Sequence, residues 1–302
     1  MATDSRLRVR GHLVDGATVV DAGIDVPGSI AAARMVTRVC MGDVVDVSVH
    51  AIDADRFASD VGVTVQTDNP VMACLACQYA GWPVAADKYF AMASGPMRMA
   101  RGREPLLVEM QLSESSPVAA GVLESTDLPT GDAIRLISEE TGVETSKVAI
   151  VVAPSGSLVG SVQVVARSVE TAMHKLHALG FDVQTIFSAV GTAPLPPPAK
   201  PSDMVGGIGR TNDAILYGGV VTLWVDGDQA AIDDVAERVP SNSSKDYGRP
   251  FADIFKDYGY DFYKVDPHLF SPAVVSIVNR RSGITRRFGQ INPDVLRASF
   301  AS

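Results

Sequence analysis

The residues best suited to chemistry lie just past the middle of the chain. The spacing of apolar residues predicts one helix from Val162 to Leu179, which Gly180 ends. At about 100° per residue, four polar side chains share another face of this helix: Gln163, Arg167, Glu170 and His174. Helix statistics alone favour an ordinary solvated face for them. Because a loop containing Gly156 and Gly160 precedes this helix, we nevertheless expect chemistry here.

Three clusters elsewhere mix polar and aromatic residues. They are residues 87–90, residues 210–213 with Tyr217, and residues 241–248. Each could be a turn whose side chains satisfy one another. Together they also fit a cleft that binds a flat, heteroatom-rich ring by stacking and hydrogen bonding. Spacing leaves both alternatives open, and indicates only a cytosolic two-domain enzyme or binding protein.

Other motifs in the chain point away from metal, nucleotide and serine-hydrolase chemistry. Cys74 and Cys77 form a C-x-x-C within an apolar run, which predicts small packing residues. His174 and His177 lie three residues apart without a carboxylate partner, which is typical of surface histidines. The two glycine-bearing loops, at 156–160 and 206–209, lack the residues of phosphate and dinucleotide loops. The chain also has no G-x-S-x-G elbow.

Composition narrows the class of protein further. The chain has 302 residues, a net charge of −9 and a pI near 5.0, which argue against nucleic acid and anionic membranes as partners. Its longest uncharged run, Val148 to Ala166, is interrupted by proline, glycines and serines and is not a membrane span. No signal peptide is visible, so we expect a cytoplasmic protein.

The predicted elements mix strands and helices without a strict βαβα rhythm, which favours an α+β fold. We place a domain boundary near Glu114–Pro117, giving an N-terminal domain of residues 1–113 and a C-terminal domain of 114–302, with the last strands able to return to the first domain. Residues 104–112 are predicted to be extended and residues 206–213 to form a loop. A strand from Ala214 to Val225 follows, and residues 192–202 form a proline-rich extended loop.

Long motifs in a fixed order carry a family resemblance. The motifs lie at residues 26–29, 39–42, 80–82, 87–96, 152–163, 167–172, 209–213, 246–251 and 261–267. Among them are Asp-Lys-Tyr-Phe-Ala-Met-Ala-Ser-Gly-Pro at 87–96 and Arg-Ser-Val-Glu-Thr-Ala at 167–172. The chain, from about Gly16 to Leu296, resembles the methenyltetrahydromethanopterin cyclohydrolases.

That resemblance implies hydrolysis of the methenyl bridge of a tetrahydropterin one-carbon carrier, with the formyl group left on N5. It implies two α+β domains with the pterin in a cleft between them, a homotrimer, and no metal or prosthetic group. The step would serve methanogenesis or formaldehyde oxidation.

The resemblance also assigns the site. The family's catalytic arginine and glutamate match Arg167 and Glu170. Glu170 would deprotonate the attacking water, and Arg167 would hold it and tune its acidity, because a cation favours the carboxylate. The substrate-binding residues that we predict are Tyr89, Ser94, Gly95, Gly160, Arg210, Asn212, Asp213, Asp246 and Tyr247.

The sequence departs from the family in two places. The family's N-terminal helix before the first strand is not found here, and residues 20–23 read Val-Asp-Ala-Gly where the family has Val-Asp-Cys-Gly. The alternatives that stay open are a non-catalytic or altered-substrate pterin-binding paralogue, and a cyclohydrolase that acts on the folate carrier.

Overall fold

A computed structural model describes residues 3–200 and 203–301 of the chain. The chain divides into two compact units, Met1–Val44 with Met72–Gln163 and Val45–Val71 with Val164–Ser302. The sequence-based boundary between residues 113 and 114 falls inside unit 1, whose sheet takes strands from both sides of it. Residues 201 and 202 of the predicted proline-rich loop lie outside the described residues.

The sheet of unit 1 has seven strands in the order β1-β2-β3-β9-β8-β7-β6. Its strands are β1 (Thr3–Asp4), β2 (Val9–Val14), β3 (Ala17–Asp21), β6 (Trp82–Ala86), β7 (Tyr89–Ser94), β8 (Ala119–Glu124) and β9 (Val148–Val152). The pairs β3–β9 and β8–β9 are parallel, so these three strands end at the same edge of the sheet. The other pairs are antiparallel.

Helices of unit 1 cover this sheet and complete its core. They are α1 (Ile30–Cys40), α3 (Met97–Arg101), α4 (Pro105–Glu109) and α5 (Gly131–Thr141), with a π-helix at Val71–Gln78 and a 3₁₀ turn at Thr145–Lys147. Ile134 and Ile137 of α5 are fully buried against Trp82 of β6. The predicted extended segment 104–112 is wrong at its centre, because Pro105 occupies the first turn of a helix and Val108 donates to the Glu104 carbonyl at 3.0 Å.

Unit 2 has a six-stranded sheet in the order β13-β12-β11-β10-β5-β4. Its strands are β4 (Asp46–Ala51), β5 (Val61–Thr67), β10 (Ile186–Pro194), β11 (Val220–Val225), β12 (Val274–Asn279) and β13 (Thr285–Gly289). Only the pair β11–β12 is parallel among the described strands of this sheet. In the centre, Gly191 of β10 is opposite Val65 on one side and Val221 on the other.

The other α-helices lie at intervals between residues 54 and 300. They are α2 (Ala54–Phe57), α6 (Leu158–Val165), α7 (Ser168–Ala178), α8 (Met204–Gly218), α9 (Gln229–Val235), α10 (Phe251–Asp257) and α11 (Pro293–Phe300). Short 3₁₀ turns lie at Val183–Thr185, Ala236–Arg238, Ser241–Ser243, Phe262–Lys264 and Pro267–Leu269. Within unit 2, α7 packs on β10 and β11, while α8 packs on β10, α10 and α11. Each unit therefore combines a mostly antiparallel sheet with helices, and the α+β prediction is confirmed.

The glycine-bearing loop predicted at 206–213 is wrong. This stretch is the first part of α8, and the strand predicted from Ala214 starts only at Val220. Asp203 begins the helix by accepting the Gly206 amide at 2.7 Å. A Cβ on Gly209 would lie 2.9 Å from the Ala252 Cβ, so this glycine lets α8 and α10 approach closely. Packing outweighs the low helix propensity of glycine here.

The single helix predicted from Val162 to Leu179 is also wrong, because it is two helices. Helix α6 ends at Val165, and the Arg167 amide donates to the Val164 carbonyl at 3.0 Å in a three-residue turn. Arg167 has φ −79° and ψ 6°, outside the helical region, and precedes the first residue of α7. The break separates Gln163 from the face shared by Glu170 and His174. Valines at 162, 164 and 165 weaken helix propensity before it.

Candidate functional site

Helix α7 begins with the two residues predicted to be catalytic. Arg167 is at the N-cap position and Glu170 lies in the first turn, where the helix dipole favours a negative charge. Arg167 is 8% exposed and Glu170 5%. Because ionised side chains are rarely buried this deeply without a purpose or a partner, the solvated-face interpretation of these residues is wrong.

Strand β10 supports this first turn from below. A Cβ on Gly191 would lie 2.5 Å from the Ser168 Oγ and 2.7 Å from the Val169 Cγ2. The backbone of β10 therefore runs directly beneath Ser168, with no space for a side chain. This close approach sets the distance between the sheet and the first turn of α7, and with it the positions of Arg167 and Glu170.

The second half of α7 holds a buried lysine that the sequence analysis missed. Lys175 is 2% exposed, and its Nζ donates to the Ser243 Oγ at 3.1 Å and to the His268 carbonyl at 2.5 Å. Burial lowers its pKa to about 8, with Asp266 opposing and Arg238 reinforcing the effect. One signal could have revealed it. Lys175 follows Ser168 and Ala172 at the i, i+4, i+7 spacing of one helix face, and all three are buried.

Hydrogen bonds and a ring contact hold the segment that contains Asp246 and Tyr247, two predicted substrate-binding residues. Asp246 accepts the Tyr258 hydroxyl on Oδ1 and the Asp266 amide on Oδ2, both at 3.1 Å. The Tyr247 ring lies 5.1 Å from the Tyr217 ring. Tyr217 in turn donates its hydroxyl to the Arg249 carbonyl at 2.7 Å.

Helix α8 carries the three other predicted binding residues of unit 2. Arg210 donates to the carbonyls of Pro197 and Pro198 at 3.2 and 3.1 Å, which ties the proline-rich segment to this helix. Asn212 donates to the Ile208 carbonyl one turn earlier at 2.8 Å. Asp213 is fully buried and accepts the Phe251 amide at 2.8 Å. Burial raises the pKa of Asp213 to about 7, against the opposing effects of Ser299 and Phe251.

The predicted binding residues of unit 1 are buried in strand β7, in the bend that follows it and in helix α6. Tyr89, 5% exposed, lies in β7, and burial raises its pKa to about 12. Ser94 ends β7 with its Oγ 3.2 Å from the Cys40 Sγ. Gly95 has φ +103°, and a Cβ there would lie 2.8 Å from the Gly121 Cα, so only glycine fits. The predicted loop position of Gly160 is wrong, because this residue lies in the first turn of α6. A Cβ there would overlap the Pro154 carbonyl, so glycine lets this turn pack against the loop that precedes it.

Two sets of predicted residues are thus organised, one in each unit. Arg167, Glu170, Asp246 and Tyr247 lie in unit 2 with α8, and the predicted binding residues at positions 89, 94, 95 and 160 lie in unit 1. The cleft and the binding roles implied by the resemblance stay predictions.

The three cysteines are buried packing residues. Cys40, Cys74 and Cys77 are buried thiols that are not joined in disulfides, and burial was predicted for the C-x-x-C pair. Burial is the main cause that raises the pKa of Cys77 to about 12, so its thiol is not a ready nucleophile or ligand. Within residues 3–200 and 203–301, no three His, Cys, Asp or Glu side chains are grouped to hold a metal ion. No helix in the same part of the chain is long and apolar enough to cross a membrane.

A surface cavity of about 350 Å³ in unit 2 lies at other residues. It is lined by Arg56, Val274, Arg287, Gly289, Gln290, Ile291 and Pro293. None of these was predicted as a site residue, and the cavity is open to solvent along the edge strand β13.

Comparison with known proteins gives one consistent result. A family model described as Cyclohydrolase (MCH) matches residues 1–300. The methenyltetrahydromethanopterin cyclohydrolase of Rhodopirellula baltica is 57% identical over 290 residues, which cover 95% of this chain and 87% of that protein. Proteins of the same name from Methylobacillus flagellatus and Methanospirillum hungatei are 41% and 42% identical, over 95% and 96% of this chain and 87% and 90% of their own lengths.

Proposed function

Because the chain belongs to the cyclohydrolase (MCH) family, we propose that it hydrolyses the methenyl bridge of 5,10-methenyl-tetrahydromethanopterin to 5-formyl-tetrahydromethanopterin. The relatives that carry this name support the substrate, and they match almost the whole chain. The observation that carries the mechanism is the burial of Arg167 and Glu170 at the first turn of α7.

The methenyl carbon is part of a cationic amidinium and is already electrophilic. The protein therefore needs to position one water and to remove its proton during attack. In our mechanism Glu170 takes this proton as the water oxygen bonds to the carbon, giving a neutral carbinolamine. The negative charge of Glu170 also complements the cationic bridge before attack.

The second half of the reaction returns the proton. Glu170 donates it to N10 as the bond between the carbon and N10 breaks, which leaves the formyl group on N5. The carbinolamine hydroxyl loses its own proton as the formyl oxygen forms, so one proton is released per turnover. Arg167 holds the Glu170 carboxylate in place throughout, and no other group need change its charge.

We assign pterin binding to the predicted binding residues whose contacts are described above. We propose that Asp246, Tyr247, Arg210, Asn212 and Asp213 from unit 2, and Tyr89, Ser94, Gly95 and Gly160 from unit 1, bind the ring system and its substituents. The tyrosines suit stacking on a flat ring, and the carboxyl groups of the aspartates suit hydrogen bonds to its polar atoms. We further propose a homotrimer in solution and a reaction that needs no metal or prosthetic group. Light scattering tests the trimer, and full activity after exhaustive treatment with a chelator tests the second point.

Purified protein tests the activity directly through the absorbance of the methenyl chromophore. We expect the absorbance to fall with the methanopterin substrate and to fall more slowly, or not at all, with the folate substrate. Loss with the folate carrier alone would replace the substrate in our proposal. Loss with neither, together with retained binding, would favour the non-catalytic pterin-binding alternative.

A further inference from the structure

The mechanism above makes no use of Lys175, the buried lysine of α7. A buried ammonium costs free energy unless its protons find acceptors. Here Nζ has two, the Ser243 Oγ and the His268 carbonyl, and both belong to segments distant in the chain. The side chain therefore joins helix α7 to two points of another part of unit 2.

Those two points lie near the ends of one segment, Ser241–His268. Asp266 links the two ends of this segment, because its carboxylate accepts hydrogen bonds from the Ser244 hydroxyl at 2.7 Å and from the His268 amide at 3.0 Å. The Asp266 amide then donates to Asp246 at 3.1 Å. Lys175 thus contacts the network that holds Asp246, although it does not touch Asp246 itself.

Helix α7 also carries Glu170. Lys175 comes five residues later, which corresponds to a rise of about 7.5 Å along a straight helix. A helix of this length is stiff, so a contact at Lys175 fixes the segment at a set distance from the start of α7. The ammonium is the charged donor of this contact, and such hydrogen bonds are stronger than neutral ones.

We propose that Lys175 is a positioning residue for the substrate, which holds the Ser241–His268 segment and with it Asp246 and Tyr247 in register with Glu170. The inference rests on the proposed function, since it concerns the binding of the pterin on which Glu170 acts. In this proposal Lys175 increases the affinity for the substrate, while Glu170 carries out the proton transfers.

The test separates KM from kcat. In Lys175→Met, we expect KM for the methenyl substrate to rise about tenfold or more, the change that loss of one charge-assisted hydrogen bond would cause. The value of kcat should stay within about threefold of wild type, because Arg167 and Glu170 are untouched. Ser243→Ala removes one of the two acceptors and should raise KM in the same direction by less. Lys256→Met, which removes an exposed lysine of α10, is the matched control and should change neither constant.

Hydrogen exchange provides a second readout that does not need turnover. Amides of residues 241–268 should exchange faster in Lys175→Met than in wild type and in Lys256→Met, while amides of β10 and β11 keep their protection. Unchanged KM and unchanged exchange in Lys175→Met would overturn the inference, as would a fall in kcat at constant KM. If Lys175→Met does not fold, Ser243→Ala decides by the same two measurements.

The two proposals fail in different ways. A wild-type protein that does not consume the methenyl substrate contradicts the proposed function. Exchange in the 241–268 segment and the dissociation constant of the pterin, measured on wild type and on Lys175→Met, then decide the role of Lys175. Equal dissociation constants would overturn it.

Discussion

Gly191 of β10 lies so close to Ser168 of α7 that a Cβ on residue 191 would come within 2.5 Å of the Ser168 Oγ. Real Cβ atoms do not approach other atoms this closely, so any side chain at 191 must displace Ser168 and Val169 in the first turn of α7. That start carries Arg167 and Glu170. A structural glycine in the sheet and the proposed catalytic pair are therefore connected by direct packing.

We expect Gly191→Ala to lower the free energy of unfolding by about 1–3 kcal/mol, the usual cost of overpacking a core. It should also reduce kcat, because small displacements of a catalytic group are costly. Urea unfolding and the methenyl assay measure the two effects. Gly131→Ala is the control and should be neutral or stabilising. At this first position of α5, a Cβ meets the end of the flexible Arg135 side chain at 3.3 Å and the Asp15 Cβ at an ordinary 3.7 Å.

A double variant tests the cause. Ser168→Ala removes the Oγ, which has no hydrogen-bond partner among the described residues, and by itself should cost little. Combined with Gly191→Ala it should recover part of the lost stability, because one of the two close contacts is gone. Strictly additive effects would show that the contact between residues 168 and 191 is not the source of the destabilisation.

Glu170→Gln tests the proposed general base. The amide keeps the size of the side chain and cannot accept the proton of water, so kcat should fall by about 10² to 10⁴. The dissociation constant of the pterin should rise far less than kcat falls, because only the charge that complements the cationic bridge is lost. Titration of the methenyl absorbance or of protein fluorescence measures it. Glu237→Gln alters an exposed glutamate of the same unit and should behave as wild type. Near-normal turnover by Glu170→Gln would remove Glu170 from the mechanism.

Helix α7, which carries Arg167 and Glu170, could be predicted from the sequence, whereas the break before it and the course of α8 could not. The family motif at 167–172 identified Arg167 and Glu170, and apolar spacing identified the buried face of α7 correctly. The break before Arg167 depends on a turn with no glycine or proline to signal it. The course of α8 depends on Gly209 packing against Ala252, a contact between residues far apart in the chain.

Buried polar residues were the hardest to foresee. The charge of Lys175 predicts a surface position, although its spacing places it on the same helix face as Ser168 and Ala172. Its burial becomes favourable only because Ser243 and His268 supply acceptors. Those acceptors are neutral and lie in irregular segments, so no local pattern marks them. The C-x-x-C was easier, because its apolar neighbours already indicated packing.

Arg98 and Glu104 form a buried ion pair in unit 1, 0% and 4% exposed, and Arg98 Nε donates to Glu104 Oε1 at 2.9 Å. Arg98 also donates to the carbonyls of Leu75 and Ala76 in the π-helix, at 2.9 and 3.0 Å. Arg98→Met should therefore lower the free energy of unfolding by about 3–5 kcal/mol, because it leaves a carboxylate and two carbonyls buried without their donor. Chemical denaturation measures the loss.

Two further variants separate charge from packing. Arg38→Met breaks a surface pair with Asp43, in which both side chains are at least half exposed, and should cost about 0–1 kcal/mol. Arg98→Met with Glu104→Leu should be less destabilising than Arg98→Met alone, since no buried carboxylate is left unpaired. A double variant that is no more stable than Arg98→Met would show that the unpaired Glu104 carboxylate is not the cause of the destabilisation.

The buried carboxyl of Asp213 should make stability depend on pH. Its pKa is raised from 3.8 to about 7 in the folded protein, mainly by burial. Below pH 4 the group is protonated in both states and contributes nothing. Between pH 4 and 7 the unfolded chain ionises while the folded protein stays protonated, so the free energy of unfolding falls as pH rises. The difference between the two pKa values corresponds to a loss of roughly 4 kcal/mol at about 1.4 kcal/mol per pH unit, and the loss levels off above pH 7.

Asp213→Asn removes this titration and retains an oxygen for the Phe251 amide. The stability of the variant relative to wild type should therefore increase from pH 4 to pH 7 and then stay constant, as measured by urea unfolding at a series of pH values. Asp228→Asn, an exposed aspartate of unit 2, should show no such trend. A difference between Asp213→Asn and wild type that does not vary over this range would mean that Asp213 is ionised in the folded protein, and that its hydrogen bonds outweigh its burial.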